Sequence, residues 1–353
     1  CITGWSGGGQ GNISCDPLFV DAGGLDFHLQ ADSPCIDTGG SIFRIIPDLD
    51  GNPRIHKAST EDRGDGSGID MGALEFQSTA PPLGLPGPGG GTQDTWTVGS
   101  GAGYDFATIQ AAIDAATDGD EIIVQPGFYA AIDFGGKSVD LHSTDPQNAT
   151  VRNSTIIDGG GSGSVVVFSG AEDERCRLAG FTIRGGSAEN GGGILGQGTL
   201  AVIEYNNIFT NFAASFGGGL YRCSGSIRNN RIEDNSAGER GGGLAFCHGD
   251  IRDCTVTINT SVEKGGGFYQ CHGFVEDNTV QANITTRVPS AGGGLCYCDG
   301  YFTGNSILDN EIEDDGGGMQ ECMGLIESNI ISGNRAGTGG GDGGATEYCM
   351  GII

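Results

Sequence analysis

The stretch GGGLYRCSG, residues Gly217–Gly225, decides the fold of this chain because the chain repeats it at nearly constant spacing. Three glycines are followed by three variable residues, a cysteine and another glycine. Successive copies begin 24 to 27 residues apart, and no helical period fits inside one copy. Short apolar runs between Gly, Asn and Asp turns, repeated at this length, are typical of one coil of a parallel β-solenoid. Further glycine boxes open at Gly191, Gly241, Gly265, Gly292 and Gly316, with a degenerate one at Gly343.

Aliphatic and asparagine residues form columns when the copies are aligned on their first glycine. Stacked coils place equivalent residues about 4.8 Å apart, so each aliphatic column predicts a continuous internal stack. Each asparagine column predicts a ladder of side-chain amides, because Asn tolerates turn geometry and bonds to coils above and below. The predicted ladders are Asn230, Asn278, Asn305 and Asn329 in one column, where Cys254 takes one position, and Asn235, Asn259, Asn283, Asn310 and Asn334 in the other.

A cysteine column accompanies them. An inward cysteine is a small apolar residue that suits a tight corner, and stacked Cα atoms also lie within disulfide range. The column therefore predicts either buried reduced thiols, which we favour, or pairwise disulfides between neighbouring coils. A tetrahedral metal site is disfavoured, because thiols in one line do not form a tetrahedron. The column consists of Cys223, Cys247, Cys271, Cys298, Cys322 and Cys349.

Composition narrows the possible partners and location. The chain has 17 Lys and Arg against 45 Asp and Glu, a formal net charge of −28. Such a surface repels phosphate backbones, so no nucleic-acid partner is expected. No run of 18 apolar residues occurs, so no membrane span is expected. Twelve cysteines are too many for a typical reduced cytosolic structural protein, which favours an extracellular or cell-surface location.

A short helix is predicted before the repeats, over about residues 106–117. Ile109, Ala112, Ile113 and Ala116 have the i, i+3, i+4, i+7 spacing of one apolar face. A solenoid's first coil exposes apolar surface and unpaired backbone unless something covers it. We expect this helix to be the N-terminal cap.

Two motifs resemble a known family. ATIQAAIDAATDGDEIIVQPGFY, from Ala107, and LAGFTIRGG, from Leu178, resemble the opening coils of the right-handed parallel β-helix family, the pectate-lyase-like superfamily. The resemblance covers residues 96–353. It implies an all-β, right-handed parallel β-helix with a short capping α-helix.

Residues 1–78 resemble a different part of such proteins. The motifs GNISCDPLFVD (Gly11–Asp21), DFHLQADSPCIDTG (Asp26–Gly39), DLDGNPR (Asp48–Arg54) and IDMGALEF (Ile69–Phe76) are similar to the segment that closes the C-terminal end of bacterial secreted and surface β-helix proteins. Here that segment comes first. A Pro/Gly-rich linker, residues 79–95, then leads into the β-helix of residues 96–353.

This order leaves three arrangements open. The closing segment could fold back onto the last coil of its own chain. It could instead complete the open end of a neighbouring copy and so build a head-to-tail filament. The chain could also be one period of a longer tandem polyprotein. We favour the filament, and therefore a structural, non-enzymatic subunit of an extracellular fibre or surface matrix whose main partner is itself.

The alternative function is a secreted polysaccharide lyase or hydrolase, or a glycan-binding β-helix. A solenoid face lined by aromatic and carboxylate side chains would favour it. The sequence offers no recognisable catalytic motif. His248 and His272 share a column with Ser224, Asp299 and Met323, and such a variable position predicts an exposed turn rather than a catalytic site.

Calcium is the only cofactor that the sequence suggests. Asp48, Asp50 and Asn52 place oxygen ligands at alternate positions around a glycine, but no Glu follows at the spacing that an EF-hand needs. An Asx-rich turn is the competing interpretation. Cys1, Cys15 and Cys35 are the disulfide candidates: Cys15 could pair with Cys35, or Cys1 could pair with Cys349 of a neighbour.

Overall fold

The structure is a computed structural model, and it describes residues 18–21, 26–30, 93–287, 292–312, 316–337 and 344–352. The chain divides into two units, Cys1–Gly91 and Thr92–Ile353. In the first unit, Phe19–Asp21 and Asp26–Leu29 form an antiparallel pair. The rest of the predicted closing segment, and the linker as far as residue 92, lie outside the described residues.

The second unit is a parallel β-solenoid, as the repeat predicts. Four sheets run along it, and a typical coil contributes one short strand to each sheet in turn. All described strand pairs between coils are parallel. No helix in the described part of the chain is long and apolar enough to cross a membrane.

The strands of sheets 1 and 2 occur in chain order along the solenoid. Sheet 1 consists of Thr95–Val98, Glu121–Val124, Asp140–Ser143, Arg177–Ala179, Val202–Glu204, Ile227–Arg228, Ile251–Arg252, Gly273–Glu276, Asp299–Thr303, Met323–Glu327 and Met350–Ile352. Sheet 2 consists of Gly127–Ala130, Thr155–Asp158, Thr182–Arg184, Asn207–Phe209, Arg231–Glu233, Thr255–Thr257, Thr279–Gln281, Ser306–Leu308 and Ile330–Ser332.

Sheets 3 and 4 complete the coils. Sheet 3 consists of Ser187–Asn190, Phe212–Phe216, Ser236–Ala237, Thr260–Ser261, Ile284–Thr285 and Glu311–Ile312. Sheet 4 consists of Ile132–Asp133, Val166–Val167, Ile194–Thr199, Leu220–Cys223, Leu244–Ala245, Phe268–Tyr269, Leu295–Cys296, Met319–Gln320 and Thr346–Glu347.

The aliphatic columns form one continuous core, as predicted. Along sheet 2, Ile232 pairs with Val256 and Val256 with Val280, and all three side chains are fully buried. Their strand neighbours alternate to the outer face, because successive side chains point to opposite sides of a strand. A one-residue slip would turn every buried side chain outward, so the columns fix the register.

Glycine is required at the three positions of each box for two separate physical reasons. Gly241 has a φ of 67°, which L side chains rarely adopt. A Cβ on Gly242 would lie 2.5 Å from the carbonyl oxygen of Thr260, and one on Gly243 would lie 2.8 Å from that of Gly267. The first glycine therefore makes the bend, and the next two let adjacent coils approach.

The predicted helix is present as α1, Ile109–Ala115, within the range 106–117. Thr108 caps it by accepting a hydrogen bond from the N–H of Ala111. Ile109, Ala112 and Ile113 are buried in the same core as the first strands. At the other end, Lys137 Nζ donates to three carbonyls of the helix terminus at 2.7–2.8 Å.

A second helix, α2, spans Ala149–Ser154 and has no counterpart in the sequence prediction. Its N-cap is Asn148, whose side chain accepts a hydrogen bond from the N–H of Thr150. None of its residues is buried. With no apolar face, it gives no amphipathic signal in the sequence.

Candidate functional site

The asparagine columns are continuous amide ladders in the structure. Asn259 Nδ2 donates to Asn283 Oδ1 at 3.0 Å and to the carbonyl of Ile232 at 2.9 Å. The backbone N–H of Asn259 also donates to Asn283 Oδ1, at 3.0 Å. Each rung therefore joins three successive coils. The same bonding connects Asn235, Asn283, Asn310 and Asn334, and also Asn278, Asn305 and Asn329 in the other column.

The ladders extend to two earlier rungs and contain one substitution. Asn206 and Asn211 belong to the copy that begins at Gly191, which has two extra residues before them. Both bond to the ladders in the same way. Cys254 replaces an amide: Asn230 Nδ2 lies 4.0 Å from its Sγ. These buried amides are saturated by the coils around them, so their role is structural rather than catalytic.

The six cysteines of the repeat form a column of free thiols at one corner of the solenoid. Cys223, Cys247, Cys271, Cys298 and Cys322 are fully buried, and Cys349 on the last described coil is half-buried. Each Sγ also lies 3.4–3.8 Å from the carbonyl oxygen two residues before it.

Every cysteine in the described residues is free. The structure thus has the reduced thiols of the sequence analysis and not the alternative of disulfides between coils. Cys1, Cys15 and Cys35 lie outside the described residues, as do the calcium candidates Asp48, Asp50 and Asn52. Their predicted roles stay predictions.

A charged network covers the first half of the outer face of sheet 1. Glu121, Asp140 and His142 each bring one ligand atom within 4.8 Å of the others. His142 Nε2 lies 3.0 Å from Glu121 Oε1, and Arg177 Nη1 lies 3.1 Å from Asp140 Oδ1. The hydrogen bond with His142 lowers the pKa of Glu121. Arg177 already supplies the positive charge that a bound cation would bring, so this cluster is an ion-pair network.

Glu204 is the centre of the network's next part. Its side chain is 7% exposed, and Arg177 and Arg228 donate to its two oxygens at 2.6 and 2.7 Å. Burial alone would raise the pKa of Glu204, but the hydrogen bonds from Arg228 and Arg177 hold it below its ordinary value. An ionised, doubly bonded carboxylate is a poor general acid, so Glu204 stabilises the face rather than transferring protons.

The two histidines of the cysteine boxes stack on each other at the corner next to sheet 1. The rings of His248 and His272 lie 4.9 Å apart at an angle of 5°. His272 Nδ1 accepts a hydrogen bond from the backbone N–H of Asp299 at 3.0 Å. Desolvation and the neighbouring His272 lower the pKa of His248. The adjacent thiols, Cys247 and Cys271, are fully buried and so are not available as nucleophiles for a substrate.

A cluster that the sequence did not predict lies along the outer side of sheet 4 and the adjoining end of sheet 3. Five aromatic rings lie along neighbouring coils, stacked or edge to face, with centroids 5.4–6.5 Å apart. Two cations lie over them. We name this set the aromatic stripe: Phe216, Tyr221, Phe246, Tyr269 and Tyr297, with Arg240 and Lys264.

The cations and a carboxylate complete the aromatic stripe. Arg240 lies over the ring of Tyr269 at 5.4 Å and bonds to its hydroxyl at 3.1 Å. Lys264 Nζ lies 4.4 Å from the centroid of Tyr297 and 3.0 Å from its hydroxyl. That hydroxyl donates to Glu321 at 3.0 Å. Rings, cations and carboxylates therefore share one surface, on which Tyr269 is buried and the other four rings are half-buried.

The signal for this stripe was present in the repeat. Tyr221 and Tyr269 fall four residues after the first glycine of their boxes, and Phe246 and Tyr297 fall five residues after theirs. The rings alternate between two positions on successive coils, so no single column is aromatic throughout.

A shallow pocket lies on the outer face of sheet 2, lined by Asn153, Asn207, Phe209, Arg231 and Glu233. Its volume is about 180 Å³, below the 300–1,000 Å³ typical of small-molecule sites. It does not support a buried catalytic centre.

Comparisons with protein-family models, with curated proteins and with solved structures found no match to this chain. The parallel β-solenoid therefore rests on the structure itself. The resemblance to the pectate-lyase-like superfamily stays a prediction.

Proposed function

We propose that this chain is the structural subunit of an extracellular filament or surface matrix, in which residues 1–78 complete the last coil of the next copy. The support comes from that last coil. Ile331 is half-buried, whereas Ile307, one coil below it, is fully buried. The same contrast separates Cys349 from Cys322.

The polar ladder points the same way. Asn310 is fully buried, and Asn334, the next rung, is half-exposed. Within the described residues no further rung lies above Asn334. Where no further coil of its own chain covers them, parallel strands above a half-exposed core form a template for another chain. Strand addition there would supply main-chain hydrogen bonds and bury the apolar column.

Two adjacent isoleucines provide the test. Ile331 belongs to the inner column, and Ile330 lies beside it on the outer face, 62% exposed. We expect Ile331→Lys to remain a folded monomer, because a half-buried lysine can extend its charge to water, and to lose assembly. Ile330→Lys on the same strand serves as the matched control and should assemble.

Light scattering and electron microscopy of the purified full chain provide the measurements. Deleting residues 1–78 should also abolish assembly by removing the completing segment. A wild-type chain that stays monomeric at every concentration would overturn the filament. A filament that persists without residues 1–78 would overturn their proposed role. Covalent filaments would indicate the tandem polyprotein.

We also infer a second candidate function, glycan binding, from the aromatic stripe alone. A solenoid face that carries aromatic rings beside carboxylates is the feature expected of a glycan-binding β-helix. The net charge of −28 opposes acidic polysaccharides, so the expected ligand is a neutral one. The rings would stack on the apolar faces of sugars, while Arg240, Lys264 and Glu321 would bond to hydroxyl groups.

Affinity electrophoresis in gels containing dextran, xylan or glucomannan tests this. Tyr221→Ala and Tyr297→Ala should abolish any retardation of the wild type. Phe128→Ala, which removes a ring that is 75% exposed on sheet 2, should leave it unchanged. No retardation of the wild type in any gel would reject the candidate, as would equal retardation of all variants.

A further inference from the structure

The shallow pocket on sheet 2 lies where helix α2 meets two neighbouring strands. Asn207 pairs with Arg231, and Phe209 pairs with Glu233 on the next coil. Residues two apart share one face of a strand, and the residue between Asn207 and Phe209 is fully buried. These four side chains therefore form a square on the outer face, and Asn153 of α2 closes one side of it.

Two side-chain amides meet at the wall of the pocket. Asn207 Nδ2 donates to Asn153 Oδ1 at 2.7 Å. Asn207 is only 8% exposed, yet its own oxygen, like the NH2 group of Asn153, has no hydrogen-bond partner in the part of the chain that the structure describes. Rotating both amides by 180° would reverse the bond and still leave one oxygen and one NH2 group free. The pair therefore presents one acceptor and one donor to the pocket.

The solenoid itself does not require an asparagine at position 207. Asn is depleted in strands, and Asn207 belongs to neither amide ladder. Its counterparts on the next two coils are Arg231 and Thr255, which are both exposed. An unpaired amide oxygen costs free energy when it is shielded from water. A ligand that donates to Asn207 would supply the missing hydrogen bond.

The opposite side of the pocket carries two charges that cancel. Arg231 Nη2 lies 2.6 Å from Glu233 Oε2, so the pocket has no net charge that would select an anion or a cation. A guanidinium has five N–H donors and a carboxylate has two oxygens. Both groups therefore have capacity left for hydroxyl groups, and such charge-assisted bonds are stronger than bonds between neutral groups.

Phe209 supplies the apolar surface of the pocket. Its ring is half-buried, and an aromatic ring gains free energy by covering a methyl group or the C–H face of a sugar. The pocket volume of about 180 Å³ equals the share of about six water molecules, at about 30 Å³ each. This is room for one face of a single sugar unit and not for an enclosed chain.

We propose that this pocket binds one N-acetylated amino sugar unit. The acetamide group brings both a donor and an acceptor to the free amide groups of Asn153 and Asn207, and its methyl group packs on Phe209. The hydroxyl groups of the sugar bond to Arg231 and Glu233. A plain neutral sugar lacks the amide, and an acidic sugar brings a charge that nothing in the pocket compensates. The site is separate from the aromatic stripe and does not depend on assembly.

Saturation-transfer NMR of the full chain with a matched pair of ligands tests the site. The ligands are the methyl glycoside of N-acetylglucosamine and methyl glucoside, which differ only in the acetamide group. A ligand of about 16 non-hydrogen atoms, at the efficiency of ordinary small ligands, binds with a Kd on the order of 1 mM, which this method detects. We expect saturation of the acetamido sugar, strongest at its methyl protons, and about tenfold weaker binding of methyl glucoside, which forms fewer hydrogen bonds.

Matched variants locate the ligand. Phe209→Ala removes the ring and should weaken binding about tenfold. Asn153→Ala removes one of the two amides from an exposed helix and should weaken binding by about two- to tenfold. Leu308→Ala is the control and should bind as the wild type does, because Leu308 is half-buried in the same outward column of sheet 2 but four coils beyond Phe209. Circular dichroism establishes that each variant is folded.

Three results would disprove the site. The first is a wild-type chain that saturates neither ligand. The second is equal binding of the two glycosides, which would leave the amides without a role. The third is unchanged binding by a folded Phe209→Ala variant, which would place the sugar elsewhere on the chain. None of them bears on the filament or on the aromatic stripe, because those tests change no residue of this pocket.

Discussion

Replacing Cys254 by asparagine should stabilise the solenoid, because Cys254 interrupts an otherwise continuous amide ladder. At this rung Asn230 Nδ2 faces a sulfur at 4.0 Å. In the intact ladder beside it, the backbone N–H and the side-chain Nδ2 of Asn235 both donate to Asn259 Oδ1, each at 3.0 Å. Cys254→Asn would give Asn230 the same acceptor and would add a donor toward Asn278.

The magnitude follows from the bonds gained. Two bonds from Asn230 onto the new Oδ1, and one from the new Nδ2 onto Asn278, replace weak contacts of a thiol. A typical net value of about 0.5–1.5 kcal/mol for each, less the lost thiol contacts and the desolvation of the amide, gives about 1–3 kcal/mol. For a domain of this size each kcal/mol raises Tm by about 2–4 °C.

Urea unfolding followed by circular dichroism measures the change, with calorimetry for Tm. Cys176→Asn is the control, because Cys176 is also fully buried but lies outside both ladders. An amide there would find only the carbonyl oxygen of Lys137, which lies 3.8 Å from the sulfur, and its unpaired groups should cost about 1–3 kcal/mol. Equal effects of the two substitutions, or a loss of stability in Cys254→Asn, would refute the reasoning that the ladder bonds hold the coils.

Three other predictions concern a bend, a glycine and a carboxylate. Ile258 has a φ of 57°, unfavourable for a β-branched residue, so Ile258→Asn should gain about 1 kcal/mol in urea unfolding; no gain would argue against strain there. Gly242→Ala should cost about 2–4 kcal/mol, because its Cβ would meet the carbonyl oxygen of Thr260; unfolding at the wild-type urea concentration would contradict this. Glu204→Gln should cost about 1.5–3 kcal/mol at pH 7. Since the pKa of Glu204 in the folded chain is below its ordinary value of 4.5, its contribution is present above pH 4.5 and is lost as pH falls further. The difference between wild type and Glu204→Gln should therefore shrink in acid, and a gap that stays constant from pH 7 to pH 3 would count against the ion pairs.

The stacked core could be predicted from the sequence because equivalent positions of successive repeats lie on top of each other in the solenoid. A column such as Ile232, Val256 and Val280 must be apolar at every coil, since one polar side chain would be buried without partners. The asparagine columns can be recognised in the sequence for the same reason, because each buried amide needs a partner on the next coil. Inward positions are therefore constrained at each repeat, and the repeat length alone is enough to align them.

Outward positions carry no such constraint, and they were the part that sequence reasoning missed. The rings of Tyr221 and Phe246 meet across coils although they occupy different positions of their boxes. The network around Glu204 joins Arg177 on one coil to Arg228 two coils later. The ring contacts and the ion pairs around Glu204 depend on which outward residues of neighbouring coils lie side by side. One copy of the repeat does not show this.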